Sequence, residues 1–75
     1  MNKAEKIGKL ARAIKEYRGT YDPINMRWTR QPKGRAIYRV VLWLEKLGLD
    51  TDASIPLINN FKSYEEMGSW LKSIS

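Results

Sequence analysis

The residues best suited to chemistry lie between Arg27 and Arg39, where Arg27, Trp28, Arg30, Lys33, Arg35 and Arg39 follow one another closely, with Thr29, Gln31 and Tyr38 among them. A guanidinium grips phosphate through a planar fork of donors, and an accessible aromatic ring stacks on an unpaired base. Interleaving the two suits a nucleic-acid backbone and its bases. Lys9 and Arg12, on the polar side of the amino-terminal segment, extend the same charge. These eight residues are the expected contact surface of a non-enzymatic nucleic-acid-binding module, for DNA or RNA. The alternative is a small adaptor or inhibitor that uses the same cations to dock on an acidic protein surface. Nucleic acid gives a steep salt dependence and competition by generic polyanions, whereas a protein partner gives an affinity that depends on its identity. Four of the eight have a structural reading as well: Trp28 as a lid over a small core, Arg39 as a side chain that runs past an apolar face to water, and Lys9 and Arg12 as part of the solvated face of an amphipathic helix.

Other chemistries find little support. The chain has no cysteine and no histidine, which removes disulfides, thiol nucleophiles, thiolate metal sites and the usual imidazole base or ligand. The carboxylates, lysines, tyrosines and serines that remain show no nucleophile, base and orienter arrangement. No enzyme activity, cofactor, metal or small-molecule substrate is therefore expected. Asp50 and Asp52 imitate the first ligands of a calcium loop, but its sixth and twelfth positions would be Ile55 and Phe61, where Gly and Glu are needed. Gly34 is isolated and is followed by no phosphate-loop Lys-Ser/Thr pair. Leu44 to Leu57 can be spaced as a helix-turn-helix around Gly48. Its would-be recognition helix, TDASIPLINN, has no Lys or Arg and begins with an acid, so it is a poor reader of DNA.

The net charge of +6 is unevenly spread. Residues 1 to 39 hold eleven Lys and Arg against three acids, a balance of +8, and residues 40 to 75 hold three against five, a balance of −2. Such asymmetry points to a polyanionic or acidic partner, although a small domain also carries net charge for solubility alone. Charges interrupt the amino-terminal apolar positions every few residues, so neither a signal peptide nor a membrane span is expected, and the location expected is cytoplasmic. Attachment to an anionic membrane through the amino-terminal helix is disfavoured, because its apolar face is narrow and holds no Trp or Phe.

The elements that must position these residues read as mostly α, a small three-helix bundle in one domain over 1–75, with an irregular basic loop between the first two helices. Ile7, Leu10, Ala11, Ile14 and Tyr17 recur at steps of three and four, predicting a helix from Asn2 to Arg18 that Gly19 stops. Between Gly19 and Gly34 two signals compete. Asp22-Pro23 can start a helical turn, while Ile24, Met26 and Trp28 alternate with polar residues as a strand does. Pro32 and Gly34 fit a type I turn over Gln31 to Gly34. If Ile24 to Arg30 is a strand, its hairpin partner is Arg35 to Val41, giving an α+β alternative at 24–41. Ile37, Val40, Val41, Leu44 and Leu47 predict a central second helix up to Gly48, with Leu49 folding back on its last turn. Tyr38, Leu42 and Trp43 widen its apolar surface, so it is expected to be contacted on more than one side, with a second copy as one means of covering it. Ser54 before Pro56 offers a cap for a short helical turn, and a packed loop suits the same residues. Ser63 with Glu66 forms a capping box for the last helix, whose inner stripe is Met67, Trp70, Leu71 and Ile74.

Overall fold

Asn2 opens the first helix with its side-chain oxygen, which accepts the Glu5 N–H at 2.8 Å and satisfies one of the donors that a first turn leaves over. The computed structural model describes residues 1–32 and 34–75. Lys33, and with it the turn expected over Gln31 to Gly34, lies outside the described residues. Helix α1 (Lys3–Arg18) buries Leu10, Ala13, Ile14, Tyr17 and Arg18. It stops at Gly19, whose φ of 81° and ψ of −145° belong to backbone space that side chains forbid. A Cβ there would stand 2.3 Å from Thr29 Oγ1 and 3.2 Å from the Arg30 backbone nitrogen. Gly19 is thus both the helix stop and the point where the returning chain presses against the helix end.

That returning chain is a hairpin of β1 (Tyr21–Asp22) and β2 (Arg27–Trp28), antiparallel, with Tyr21 opposite Trp28 and Asp22 opposite Arg27. Thr29 N–H to Thr20 O and Arg30 N–H to Arg18 O, both 2.9 Å, carry the ladder back to α1. A short hairpin is therefore present, but not between Ile24–Arg30 and Arg35–Val41. The reason is the Asp22 carboxylate, which collects the N–H of Ile24 at 2.9 Å and of Asn25 at 3.3 Å, and the Asn25 side-chain amide at 2.6 Å. Asp22-Pro23 starts a turn rather than a helix. The alternating Ile24 and Met26 lie on the loop, 90% and 76% exposed, with Met26 at a φ of 53°.

Helix α2 (Ile37–Lys46) lies along α1 and buries Val40 and Leu44 completely. Gly48, at a φ of 72°, closes it: Gly48 N–H donates to Glu45 O and Leu49 N–H to Leu44 O, each at 2.9 Å, which is a Schellman stop. Helix α3 (Thr51–Asn59) is a full element rather than a single turn or a loop. Asp50 caps it by accepting the Asp52 N–H at 2.9 Å, and Ser54 is buried within it. Pro56 sits inside this helix, where it has no N–H to give. Helix α4 (Tyr64–Ser73) begins as expected, Ser63 Oγ accepting the Glu66 N–H at 3.1 Å. The Glu66 carboxylate returns to the N–H of Lys62, one residue before the cap.

The fold is mostly helical with a two-stranded hairpin, and it has four helices where three and a turn were expected. The completely buried side chains are Leu10 and Ile14 of α1, Val40 and Leu44 of α2, and Ile58 of α3. The core accordingly lies where three helices meet. Of the extra apolar surface on α2, Trp43 is packed against the core, while Tyr38 and Leu42 remain exposed. Among the described residues no helix is long and apolar enough to cross a membrane.

Candidate nucleic-acid interface

The helical period places Lys9, Arg12 and Glu16 on one outer stripe of α1, three and then four residues apart. On α2 the same arithmetic aligns Arg39, Leu42 and Trp43. The two stripes face each other across a groove of about 320 Å³ that these six residues line. Arg39 Nη1 lies 3.1 Å from both carboxylate oxygens of Glu16. Both side chains are well exposed, at 68% and 51%, so the pair contributes at most about 1 kcal/mol. Arg30 reaches the same turn of α1 from the hairpin, its Nη1 donating to Glu16 O at 2.7 Å. Lys9, Arg12, Arg30 and Arg39 are all exposed, and Lys15 sits 5.4 Å above the ring of Tyr64 beside them. Three of the expected contact residues, Lys9, Arg12 and Arg39, thus line one groove with Glu16, and a fourth, Arg30, is tied to the Glu16 backbone carbonyl beside it.

The others divide. Trp28 is only 6% exposed, and its Nε1–H donates to Phe61 O at 2.7 Å. Its ring meets Tyr21 and Tyr64 edge to face, with centroids 5.4 and 5.0 Å away, and the Arg18 guanidinium lies 5.3 Å from it. A ring enclosed in this way cannot stack on a base, so of its two readings the core one holds and Trp28 leaves the contact surface. Arg27 and Arg35 are exposed. Arg27 shares a pocket with Arg18, Arg30 and Lys62 on the hairpin, apart from the groove. Arg35 precedes α2, its carbonyl accepting the Tyr38 N–H at 3.1 Å. The exposed aromatic close to the groove is Tyr38, 72% exposed and one turn before Leu42.

Arg18 and Glu16 are not among the residues that the sequence pattern alone singles out. Arg18 continues the apolar stripe of Leu10 and Ile14, and a cation at a core position is a legible signal. Its Nη1 donates to Ile58 O at 2.8 Å and also to Asn59 O, and Nη2 reaches Phe61 O at 3.5 Å, so it caps the carbonyl end of α3. The neighbouring Tyr17 hydroxyl donates to Asn59 Oδ1 at 2.8 Å. Burial pushes the Tyr17 hydroxyl's pKa up, opposed by the Arg18 charge and the Asn59 bond. Burial pushes the Arg18 guanidinium down, against the opposing pull of Tyr17, though a guanidinium stays charged at any physiological pH. At the hairpin, the Asn25 side-chain amide, the two backbone N–H groups and more weakly Arg27 hold the Asp22 carboxyl below the usual carboxylate range. Among the described residues, no cluster of three or more acidic side chains could hold a metal. No protein-family model matches the chain, and neither a curated protein nor a solved structure resembles it.

Proposed function

We propose that the chain is a non-enzymatic nucleic-acid-binding module whose contact face is the α1–α2 groove. The observation that carries this reading is that Lys9, Arg12 and Arg39 line one groove around Glu16, with Arg30 bonded to the Glu16 backbone carbonyl beside it. Long, exposed cations spaced along a groove track a phosphate backbone, and the exposed Tyr38 beside them offers a ring to an unpaired base. The partners are DNA or RNA. A second reading, docking on an acidic protein, is favoured by the exposed Tyr38 and Leu42, since an exposed apolar pair rimmed by charge also suits a protein interface.

Titration with duplex DNA, single-stranded DNA and RNA at two salt concentrations tests the proposal. Binding is expected at low salt, with an affinity that falls steeply as salt rises. The double variant Arg12→Gln/Arg39→Gln should lower the slope of log K against log salt by about 0.9 per lost contact on duplex and about 0.7 on a single strand. Absence of binding at low salt overturns it, and an affinity confined to one acidic protein, with no polyanion competition, selects the second reading.

A further inference from the structure

A second basic site lies on the other side of the hairpin. Trp28, Phe61 and Arg18 form part of a pocket of about 250 Å³, and Arg27, Arg30, Gln31 and Lys62 complete its polar lining. Arg18 is 7% exposed, and its Nε is buried with no hydrogen-bond partner among the described residues. Its Nη groups meet carbonyls only, so no carboxylate neutralises this buried charge among the described residues. A buried, uncompensated guanidinium projects a field that water screens weakly. Arg27, Gln31 and Lys62 are exposed at the same pocket and carry donors without carboxylates. The acids nearby are already engaged: Asp22 by the hairpin turn and Glu66 by the Lys62 N–H. Neither lines the pocket.

We propose that this pocket binds a phosphate group, with Arg18 as its charged floor and Arg27 and Lys62 as donors to the phosphate oxygens. A tetrahedral dianion suits it because Arg27 and Lys62 approach from different elements, each able to serve a different oxygen, above the buried Arg18 charge. The volume admits a phosphate with part of whatever bears it, so free orthophosphate and the terminal phosphate of an oligonucleotide share this chemistry. The site does not depend on the α1–α2 groove.

The test is an NMR titration of the full chain at constant ionic strength, following the Trp28 indole N–H and the buried Arg18 Nε–H. Its three probes are orthophosphate, a 5′-phosphorylated oligonucleotide and the same oligonucleotide with a 5′-hydroxyl. Both resonances should shift saturably with at least one phosphate probe. Arg27→Gln/Lys62→Gln, at exposed positions that leave the fold intact, should weaken this binding about tenfold or more. Arg12→Gln/Arg39→Gln should leave it unchanged, which separates this site from the groove. Tighter binding of the phosphorylated oligonucleotide than of its hydroxyl twin identifies a polynucleotide end as the source. Saturation by orthophosphate with no difference between the oligonucleotides identifies a free anion. No saturable shift with either phosphate probe, or an undiminished one in Arg27→Gln/Lys62→Gln, overturns the proposal.

Discussion

The side chain of Trp28 shows how far a residue's role depends on groups distant in sequence. Its neighbours Arg27, Thr29 and Arg30 are exposed, yet the indole is buried because Phe61 O, 33 residues later, accepts its N–H and Tyr21 and Tyr64 wall its ring. Trp28→Phe keeps a ring but takes away the donor facing Phe61 O, and should cost about 1–3 kcal/mol in urea unfolding. Trp28→Ala should cost about 3–5 kcal/mol. Folded Trp28→Phe should bind nucleic acid with the parent's affinity, and a loss of affinity with the fold intact would return the indole to the contact surface. Asp22 titrates in the opposite region of the same hairpin. Its folded pKa is depressed, chiefly by the Asn25 amide, so its contribution to stability is present above the unfolded value of about 3.9 and is lost as pH falls through the folded value. Asp22→Asn keeps an oxygen acceptor but cannot titrate, so acid unfolding followed by circular dichroism should show a shallower loss of stability over that window. The exposed cations Arg12, Arg30 and Arg39 were legible as contact candidates because charge on a polar face needs no partner to be seen. The fates of Trp28 and Arg18 were not, since both are decided by carbonyls at the α3–α4 junction.

At the scale of elements, local chemistry announced most boundaries. Ser63 and Gly48 close or open their helices with the hydrogen bonds their sequence context demands, and the period of α1 places Leu10 and Ile14 in the core. Two elements were less legible, each for a physical reason. The hairpin is set by the side chain of Asp22 folding the loop onto itself, which a count of alternating residues cannot register. Helix α3 runs through Pro56, which ordinarily argues against a helix interior, and Asn60 Nδ2 donates to the Pro56 carbonyl at 2.7 Å near its end. The glycines provide the test at this scale. Gly19→Ala combines a forbidden backbone conformation with a Cβ pressed on Thr29 and the Arg30 backbone, and should cost about 2–4 kcal/mol. Gly48→Ala meets nothing within 4 Å and should cost only about 1 kcal/mol, from its positive φ. Thermal unfolding of the two variants should rank them in that order, and a reversal would mean that the α1–hairpin junction is looser than its geometry.

At the scale of the whole molecule, three cations from the positive first half of the chain, Lys9, Arg12 and Arg39, are brought by the α1–α2 packing into a groove with one acid among them. Glu16 and Arg39 form one ion pair, yet their removal should act in opposite directions on polyanion binding. Glu16→Gln takes away the groove's only carboxylate among the described residues and releases Arg39, and should tighten binding about threefold to tenfold at low salt, whereas Arg39→Gln should weaken it by a similar factor. A pair that serves structure alone would leave affinity unchanged in both, a result fluorescence anisotropy with a labelled oligonucleotide can read. The Arg18 cap has a different kind of consequence. Its partners Ile58 and Asn59 stand 40 and 41 residues downstream, and Tyr17 and Trp28 depend on the same junction. During synthesis, α1 and the hairpin leave the ribosome with a buried-type cation, a phenol and an indole whose acceptors do not yet exist. The amino-terminal half therefore has no finished core of its own, and its folding should be complete only once Phe61 has emerged.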